Sequence, residues 1–211
     1  MLETAQLQCI RGDRMLFRDL SFSVNEREML YVRGENGSGK TSLLRILCGL
    51  MVPAEGEIRW NGENVKKLGE EYNKDLLYLG HKLGTKADMT AVENLRVSSS
   101  LAGHPISEDE AWDALAEIGL KGREDLPVKV LSQGQQRRVA LSRLLVSKAK
   151  LWILDEPFTA LDVKAVAQLQ DILAAHLDKN GMIIITTHQD FQVSSGTQRE
   201  LSMDGRGGGM H

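Results

Sequence analysis

The stretch from Gly34 to Thr41 constrains the fold of this chain most. It reads Gly-Glu-Asn-Gly-Ser-Gly-Lys-Thr, which fits the phosphate-loop pattern G-x-x-x-x-G-K-[ST]. Backbone N–H groups of such a loop, with the N-terminus of the following helix, form a concave site for phosphate. The motif requires a strand before the loop and a helix after it, and the patterns over 28–33 and 42–47 predict both. The sequence therefore predicts a nucleotide site rather than a chance glycine-rich turn.

Two residues of the loop have specific expected contacts with a nucleotide. Lys40 would reach the β- and γ-phosphates, and the Thr41 hydroxyl would bind Mg²⁺. The other residues that we expect to bind the nucleotide are Gly34, Glu35, Asn36, Gly37, Ser38, Gly39 and Ser42.

Length and composition exclude several classes of protein. The 211 residues suit one α/β domain with a small inserted lobe. A net charge of −3 gives no indication of nucleic-acid binding. Two cysteines provide neither a disulfide framework nor a zinc spacing. We expect no signal peptide and no membrane-spanning stretch, and therefore a cytosolic chain that reaches a membrane only through a partner.

The order of predicted elements divides the chain into a discontinuous α/β core and a helical insertion. Residues 1–82 contain strands around the phosphate loop, and strand and helix patterns return over 141–204. Between them, residues 83–140 carry two capping boxes, over 90–93 and 107–110, each followed by a predicted helix. The glycine-rich tail 205–211 is expected to be disordered.

An apolar strand over 151–154 ends in two carboxylates, Asp155 and Glu156. Ligands of open α/β sheets bind beyond the carboxyl ends of the strands, so both acids should lie near the phosphate loop. Asp155 suits a direct or water-mediated contact with Mg²⁺, which leaves Glu156 to orient or deprotonate a water molecule. A solvated acidic turn is the alternative, and the phosphate loop in the same chain disfavours it.

Two compatible interpretations apply to the stretch over 131–135. Ser132 and Gln135 fit a capping box for a helix expected over 136–147. A helix N-terminus with a serine and with Gly134, which permits close backbone approach, is also an anion site. That site cannot easily serve the phosphate already held by Lys40 in the same chain.

Together these motifs resemble those of the ATP-binding-cassette (ABC) ATPases over nearly the whole chain. The matching segments are the phosphate loop 34–41, the signature residues Leu131, Ser132, Gln133, Gly134 and Gln135, the acidic strand 151–156, the D-loop residues Leu161 and Asp162, and the switch histidine His188. The resemblance implies an α/β fold with a P-loop NTPase (RecA-like) core, an antiparallel β region and an inserted α-helical subdomain. It also implies ATP and Mg²⁺ as ligands.

The resemblance further implies a homodimer in which two cassettes pair head to tail. Ser132 and Gly134 of one subunit would then contact the γ-phosphate bound by the other subunit. Glu156 would be the catalytic base, and His188 would contact the γ-phosphate and the attacking water.

Three positions depart from the family pattern. Gln133 stands where the family usually has glycine, so its side chain must point away from the nucleotide. His81 occupies the place of the Q-loop glutamine, where a neutral imidazole could still touch Mg²⁺ or its water. Arg11 lies near the place of the aromatic residue that stacks on adenine, and a planar guanidinium can also stack on a base.

Within the ABC ATPases, the chain is similar to the ATPase subunits of cytochrome c maturation systems. The stretches 78–81, 132–141, 151–160 and 186–189 carry this likeness, with Trp152 and His81 as its more specific features. It implies a peripheral protein on the cytoplasmic face of the bacterial inner membrane, partnered by integral membrane subunits similar to CcmB and CcmC and not by nucleic acid. The implied work is haem export or release of a haem-loaded chaperone.

Two alternatives remain open at this point. One is an ABC ATPase for a different exported cargo, and the other is a non-transport ABC ATPase that acts on DNA, RNA or ribosomes. The short lobe, the two cysteines and the single cassette disfavour the second. The apolar residues of the lobe could dock a membrane subunit or simply pack on the core; they are Met89, Val92, Leu95, Val97 and Leu101.

Overall fold

The computed structural model describes residues 1–189 and 191–203, and the predicted disordered tail 205–211 lies outside them. The strands are β1 (Leu2–Arg11), β2 (Arg14–Val24), β3 (Glu28–Arg33), β4 (Glu55–Trp60), β5 (Glu63–Asn64), β6 (Leu76–Leu79), β7 (Leu151–Asp155), β8 (Met182–Thr186) and β9 (Thr197–Ser202). The α-helices are α1 (Lys40–Leu47), α2 (Val65–Leu68), α3 (Glu70–Lys74), α4 (Ala91–Leu101), α5 (Glu108–Leu115), α6 (Gln133–Val146) and α7 (Val163–Asp178). The predicted α/β class is confirmed.

The amino-terminal strands form an antiparallel sheet in the order β2-β1-β4-β5. A two-residue turn, Gly12 and Asp13, joins β1 to β2, so that Arg11 pairs directly with Arg14. Asn61 and Gly62, a dipeptide typical of tight turns, join β4 to β5, and both residues have the positive φ that such hairpin turns require, 50° and 86°.

A five-stranded parallel sheet, in the order β6-β7-β8-β3-β9, forms the centre of the molecule. All residues of β7 and β8 are buried, as expected for parallel strands covered on both faces. The phosphate loop follows β3, His81 follows β6, Glu156 follows β7 and His188 follows β8. Since parallel strands end at the same edge of a sheet, this topology gathers the predicted site residues there.

Two hydrophobic clusters cover the two faces of the parallel sheet. On one face, Leu43 and Leu47 of α1 pack with Leu30 and Ile184 of the sheet, and with the inner face of the antiparallel sheet. On the other face, Trp152 and Leu154 belong to a cluster with α4 to α7. Helix α1, and with it the phosphate loop, is therefore fixed between two sheets.

The predicted helical insertion comprises α4, α5 and the start of α6, and each of these helices begins at a complete capping box. Helix α5 continues into a π-helical turn (Ala116–Leu120), where Gly119 has a non-helical φ of 86°. The start predicted for α6 at residue 136 is wrong, because Ser132 is its N-cap and the helix begins directly afterwards. The predicted boundary between lobe and core after residue 140 lies within α6, which continues unbroken to Val146. This boundary therefore stays a proposal.

Candidate nucleotide site

The phosphate loop turns from β3 into α1 through glycines that the fold requires. Gly37 and Gly39 have φ values of 84° and 106°, which residues with a side chain rarely adopt. A Cβ at Gly39 would also lie 3.1 Å from Leu16 Cβ and 3.2 Å from Phe17 Cδ1. The loop can therefore reach the N-terminus of α1 only with glycine at this position.

Lys40 and Ser38 present polar groups within this loop. The Lys40 ammonium donates hydrogen bonds to the carbonyls of Gly34, at 2.5 Å, and Glu35, at 3.1 Å. Ser38 Oγ is buried and has no hydrogen-bond partner within the described residues. A positive charge, an unpartnered hydroxyl and the N-terminus of α1 together suit a phosphate group.

Asp155 is buried at the end of β7 and accepts two hydroxyl hydrogen bonds. Thr41 Oγ1 donates to its Oδ2 at 3.0 Å, and Thr186 Oγ1 donates to its Oδ1 at 2.7 Å. The first bond joins the phosphate loop to the acidic strand, as the topology predicts. A carboxylate beside a threonine hydroxyl is the oxygen-rich donor set that Mg²⁺ prefers.

Glu156 follows with a backbone φ of 51°, in the left-handed region. Its Oε2 accepts the backbone N–H of His188 at 3.3 Å, and its Oε1 lies 3.5 Å from His188 Nε2. That Oε1 atom is buried without a hydrogen-bond partner in the described part of the chain. An unsatisfied carboxylate oxygen next to a histidine can accept a proton from a water molecule.

An open cleft of about 660 Å³ brings most of the predicted residues together. Its lining includes Arg11, Asn36, Gly37, Gly39, Lys40, Thr41, Ser42, His81, Asp155, Glu156 and His188. Arg14, Leu16 and Thr159 also line it, and sequence reasoning did not single them out. The two-residue turn after Arg11 was the signal that could have revealed Arg14, because it sets the two arginines side by side.

The signature stretch does not line this cleft. Leu131 is buried, Ser132 caps α6 and the Gln133 side chain is exposed. Gln135 Oε1 accepts the Ser132 N–H at 3.0 Å, so this glutamine is engaged in the capping box. The N-terminus of α6 therefore presents its free N–H groups elsewhere than at the phosphate loop of its own chain.

The predicted D-loop holds the start of α6 and the start of α7 together. A Cβ at Gly134 would come within 2.9 Å of the Ala160 carbonyl oxygen, which explains a small residue there. Asp162 caps α7 by accepting the Ala165 N–H at 2.8 Å, and its other oxygen accepts from Arg138 Nη2 at 2.8 Å. Leu161 is partly buried against the core.

Arg137 is buried beneath Asp155 and Glu156, a contact that the sequence did not predict. Its guanidinium donates to the backbone carbonyls of Asp155, Glu156 and Pro157. Burial lowers the pKa of Arg137, while the neighbouring carboxylates act in the opposite direction. An arginine in a helix gives no sequence signal for contacts with a strand twenty residues away.

None of the helices within the described ranges is both long and apolar enough to cross a bilayer. In the same residues, no group of three or more His, Cys, Asp or Glu side chains is placed to hold a metal ion. A magnesium ion at Thr41 and Asp155 would thus need further oxygens from nucleotide or water.

Comparison with known proteins agrees with this geometry. Residues 17–159 match the ABC transporter family. The chain is 59% identical to the cytochrome c biogenesis ATP-binding export protein CcmA of Nitrosomonas europaea, over 95% of this chain and 94% of that protein. The protein of the same description from Dechloromonas aromatica is 52% identical over 96% of this chain and 100% of its own length.

Two solved structures share the fold. One is the ATP-binding subunit of an ABC transporter, with a TM-score of 0.87 and 25% identity over 100% of this chain and 90% of that one. The other is a dimeric ATP-binding cassette in a post-hydrolysis state with ADP and Pi. Its TM-score is 0.84, at 21% identity over 98% of this chain and 96% of that one. The chain therefore belongs to the ABC transporter family, as an ATP-hydrolysing protein of the CcmA group of cytochrome c biogenesis export proteins.

Proposed function

We propose that this chain is the ATPase subunit of a membrane ABC complex in cytochrome c maturation. ATP binding, closure of a dimer and hydrolysis would drive haem export or release of a haem-loaded chaperone. The likeness to CcmA proteins named for cytochrome c biogenesis and export supports this process. The haem itself rests on the family resemblance.

The single observation that carries the hydrolytic part is the arrangement of Thr41, Asp155 and Glu156 at one edge of the sheet. Lys40 and the N-terminus of α1 bind the β- and γ-phosphates. Thr41 and Asp155 would hold Mg²⁺, which would neutralise charge on the phosphates.

Hydrolysis then proceeds by in-line attack of a water molecule. Glu156 Oε1 accepts a proton from the water molecule, while the oxygen of that water forms a bond to the γ-phosphorus. The bond from that phosphorus to the bridging oxygen breaks, and ADP leaves with the electron pair. His188, held within 3.5 Å of Glu156, contacts the γ-phosphate and the water.

Three residues that depart from the family pattern have compatible positions. Gln133 is exposed, which agrees with a side chain directed away from the nucleotide. His81 lines the cleft in place of the glutamine, so it would contact Mg²⁺ or its water. Arg11 and its neighbour Arg14 line the cleft too, and either guanidinium would stack on adenine.

The position of the signature stretch supports a dimer. Ser132 and Gly134 do not line the cleft of their own chain, and a head-to-tail partner would bring them to its nucleotide. A second copy of this chain is the simplest such partner.

Integral membrane subunits similar to CcmB and CcmC are the remaining partners, and they would place the protein on the cytoplasmic face of the bacterial inner membrane. Of the two alternatives for the five apolar residues of the lobe, packing on the core applies to two of them. Val92 and Leu95 are 6% and 1% exposed and belong to the core. Met89 is partly buried, whereas Val97 and Leu101 are exposed and remain available.

Affinity purification of the intact membrane complex, with identification of its partners, tests the process. We expect haem-handling maturation proteins to co-purify with the tagged chain. An unrelated permease would instead indicate another exported cargo, and DNA, RNA or ribosomes would indicate a non-transport ATPase. Either result would contradict the proposal.

A further inference from the structure

The helix that begins at the signature stretch also reaches the acidic segment of its own chain. Arg137 lies in the second turn of α6 and is only 7% exposed. Its Nε donates to the Pro157 carbonyl at 3.2 Å, and its Nη2 donates to the carbonyls of Asp155, at 3.4 Å, and Glu156. One side chain thus binds three successive carbonyls just where the chain leaves β7.

These bonds act on a strained part of the backbone. Glu156 has a φ of 51°, and the proline after it restricts its conformation further. On one side, the Glu156 N–H donates to the carbonyl oxygen and the hydroxyl of Thr186, both at 3.1 Å. On the other side, its carbonyl accepts from Arg137 and from the Thr159 N–H. Such a conformation persists only where neighbouring groups fix it.

Arg137 leaves the carboxylate of the proposed base free. Its guanidinium donates to backbone carbonyls, and it makes no hydrogen bond to the side-chain oxygens of Asp155 or Glu156 within the described residues. Glu156 Oε1 is buried there without a hydrogen-bond partner and is therefore open to accept a proton.

We propose that Arg137 is a positioning residue that holds Glu156 in its productive orientation and ties that orientation to the signature helix. The inference rests on the proposed roles of Glu156 and of the dimer. Ser132 caps α6 about one and a half turns before Arg137. When the signature stretch of one chain shifts against the ATP bound by its partner, Arg137 of that same chain moves with it. Arg137 thereby transmits the shift to Glu156 of its own chain.

The test compares ATP binding and steady-state hydrolysis of the full chain with those of Arg137→Met, which keeps much of the apolar stem. We expect kcat to fall about 10- to 100-fold, since a displacement of about 1 Å can have that effect, while the Kd for ATP stays within about twofold. The kcat of Arg137→Lys should lie between those of the wild type and Arg137→Met, because an ammonium cannot bind all three carbonyls in one geometry.

Arg143→Met is the matched control. Arg143 lies on the same helix and is partly buried, and its side chain has no hydrogen bond or ion pair within the described ranges. Its kcat should stay within about twofold of the wild type. A folded Arg137→Met chain with the kcat of this control would overturn the inference.

Chemical rescue separates positioning from folding. Guanidinium ion, far below unfolding concentrations, should restore hydrolysis to Arg137→Ala, whereas methylammonium should not. If the alanine variant does not fold, the split between kcat and Kd in Arg137→Lys carries the test. Rescue by neither ion, in a folded alanine variant, would contradict positioning by the guanidinium.

Glu156→Gln, measured in parallel, distinguishes the two levels of the proposal. If this variant hydrolyses ATP like the wild type, the proposed role of Glu156 fails, and the inference fails with it. If it is inactive while Arg137→Met keeps full activity, only the role of Arg137 is refuted.

Discussion

Replacement of Thr186 by valine tests whether one hydroxyl group joins the two acids of the site. Thr186 Oγ1 donates to Asp155 Oδ1 at 2.7 Å and accepts from the Glu156 N–H at 3.1 Å, and the residue is fully buried. Valine has a similar shape but no hydroxyl. Thr186→Val therefore leaves a buried carboxylate oxygen without its donor.

The size of the effect follows from which bonds are lost. The Glu156 N–H keeps the Thr186 carbonyl as an acceptor at 3.1 Å, so the loss falls mainly on Asp155. A hydrogen bond to a charged group contributes about 1.5–3 kcal/mol. We expect the free energy of unfolding to fall by about 2 kcal/mol. For an m value of about 2 kcal/mol/M, the urea midpoint should fall by about 1 M.

Urea unfolding followed by circular dichroism measures this difference. Thr187→Val is the matched control, because Thr187 is also buried and its Oγ1 accepts one bond, from the Gln189 N–H at 3.0 Å. No charged group is involved there, so we expect a loss of about 1 kcal/mol or less. Equal midpoints for the two variants would refute the reasoning, as would a Thr186→Val protein as stable as the wild type.

Three further predictions concern binding, packing and pH. Lys40→Ala should raise the Kd for ATP about 10- to 100-fold by loss of charged contacts with phosphate, and an unchanged Kd in a fluorescent-nucleotide titration would remove the role assigned to the loop. Gly134→Ala should destabilise the chain by about 1–3 kcal/mol in urea, since its Cβ would lie 2.9 Å from a backbone carbonyl oxygen; an unchanged midpoint would show that this packing is loose. Burial lowers the pKa of His176, which stacks on Trp152, from 6.5 to about 4. Below pH 6.5, His176 is protonated in the unfolded chain before it is protonated in the folded chain. The free energy of unfolding should therefore fall by up to about 3 kcal/mol between pH 6.5 and 4. His176→Phe should lack this part of the pH dependence of stability. The same slope in both proteins would contradict the assignment.

Local patterns were sufficient to predict much of this fold. The apolar run over 151–154 indicated a strand, and β7 is present there with all of its residues buried. The rule that ligands bind beyond the carboxyl ends of parallel strands predicted that Asp155 lies near the phosphate loop, and its bond with Thr41 agrees. Such features follow from residues close together in the chain or from general topology.

Features that depend on distant contacts were not predictable in this way. The positive φ of Glu156 exists because Thr186 and Arg137 hold its backbone from two directions. Arg137 itself has the sequence context of any polar residue in a helix. Gly134 was expected to let backbone approach an anion, whereas the close backbone in this chain is that of Ala160.

Analytical ultracentrifugation of the Glu156→Gln chain with ATP tests most directly the claim that two chains complete each site. Since this variant should bind ATP without hydrolysing it, we predict a dimer with ATP and a monomer without it. Adding Ser132→Arg, which obstructs the signature without touching the phosphate loop, should abolish the dimer but not ATP binding. An ATP-bound Glu156→Gln chain that stays monomeric, both alone and in its membrane complex, would contradict the claim, and so would a dimer that is indifferent to Ser132→Arg.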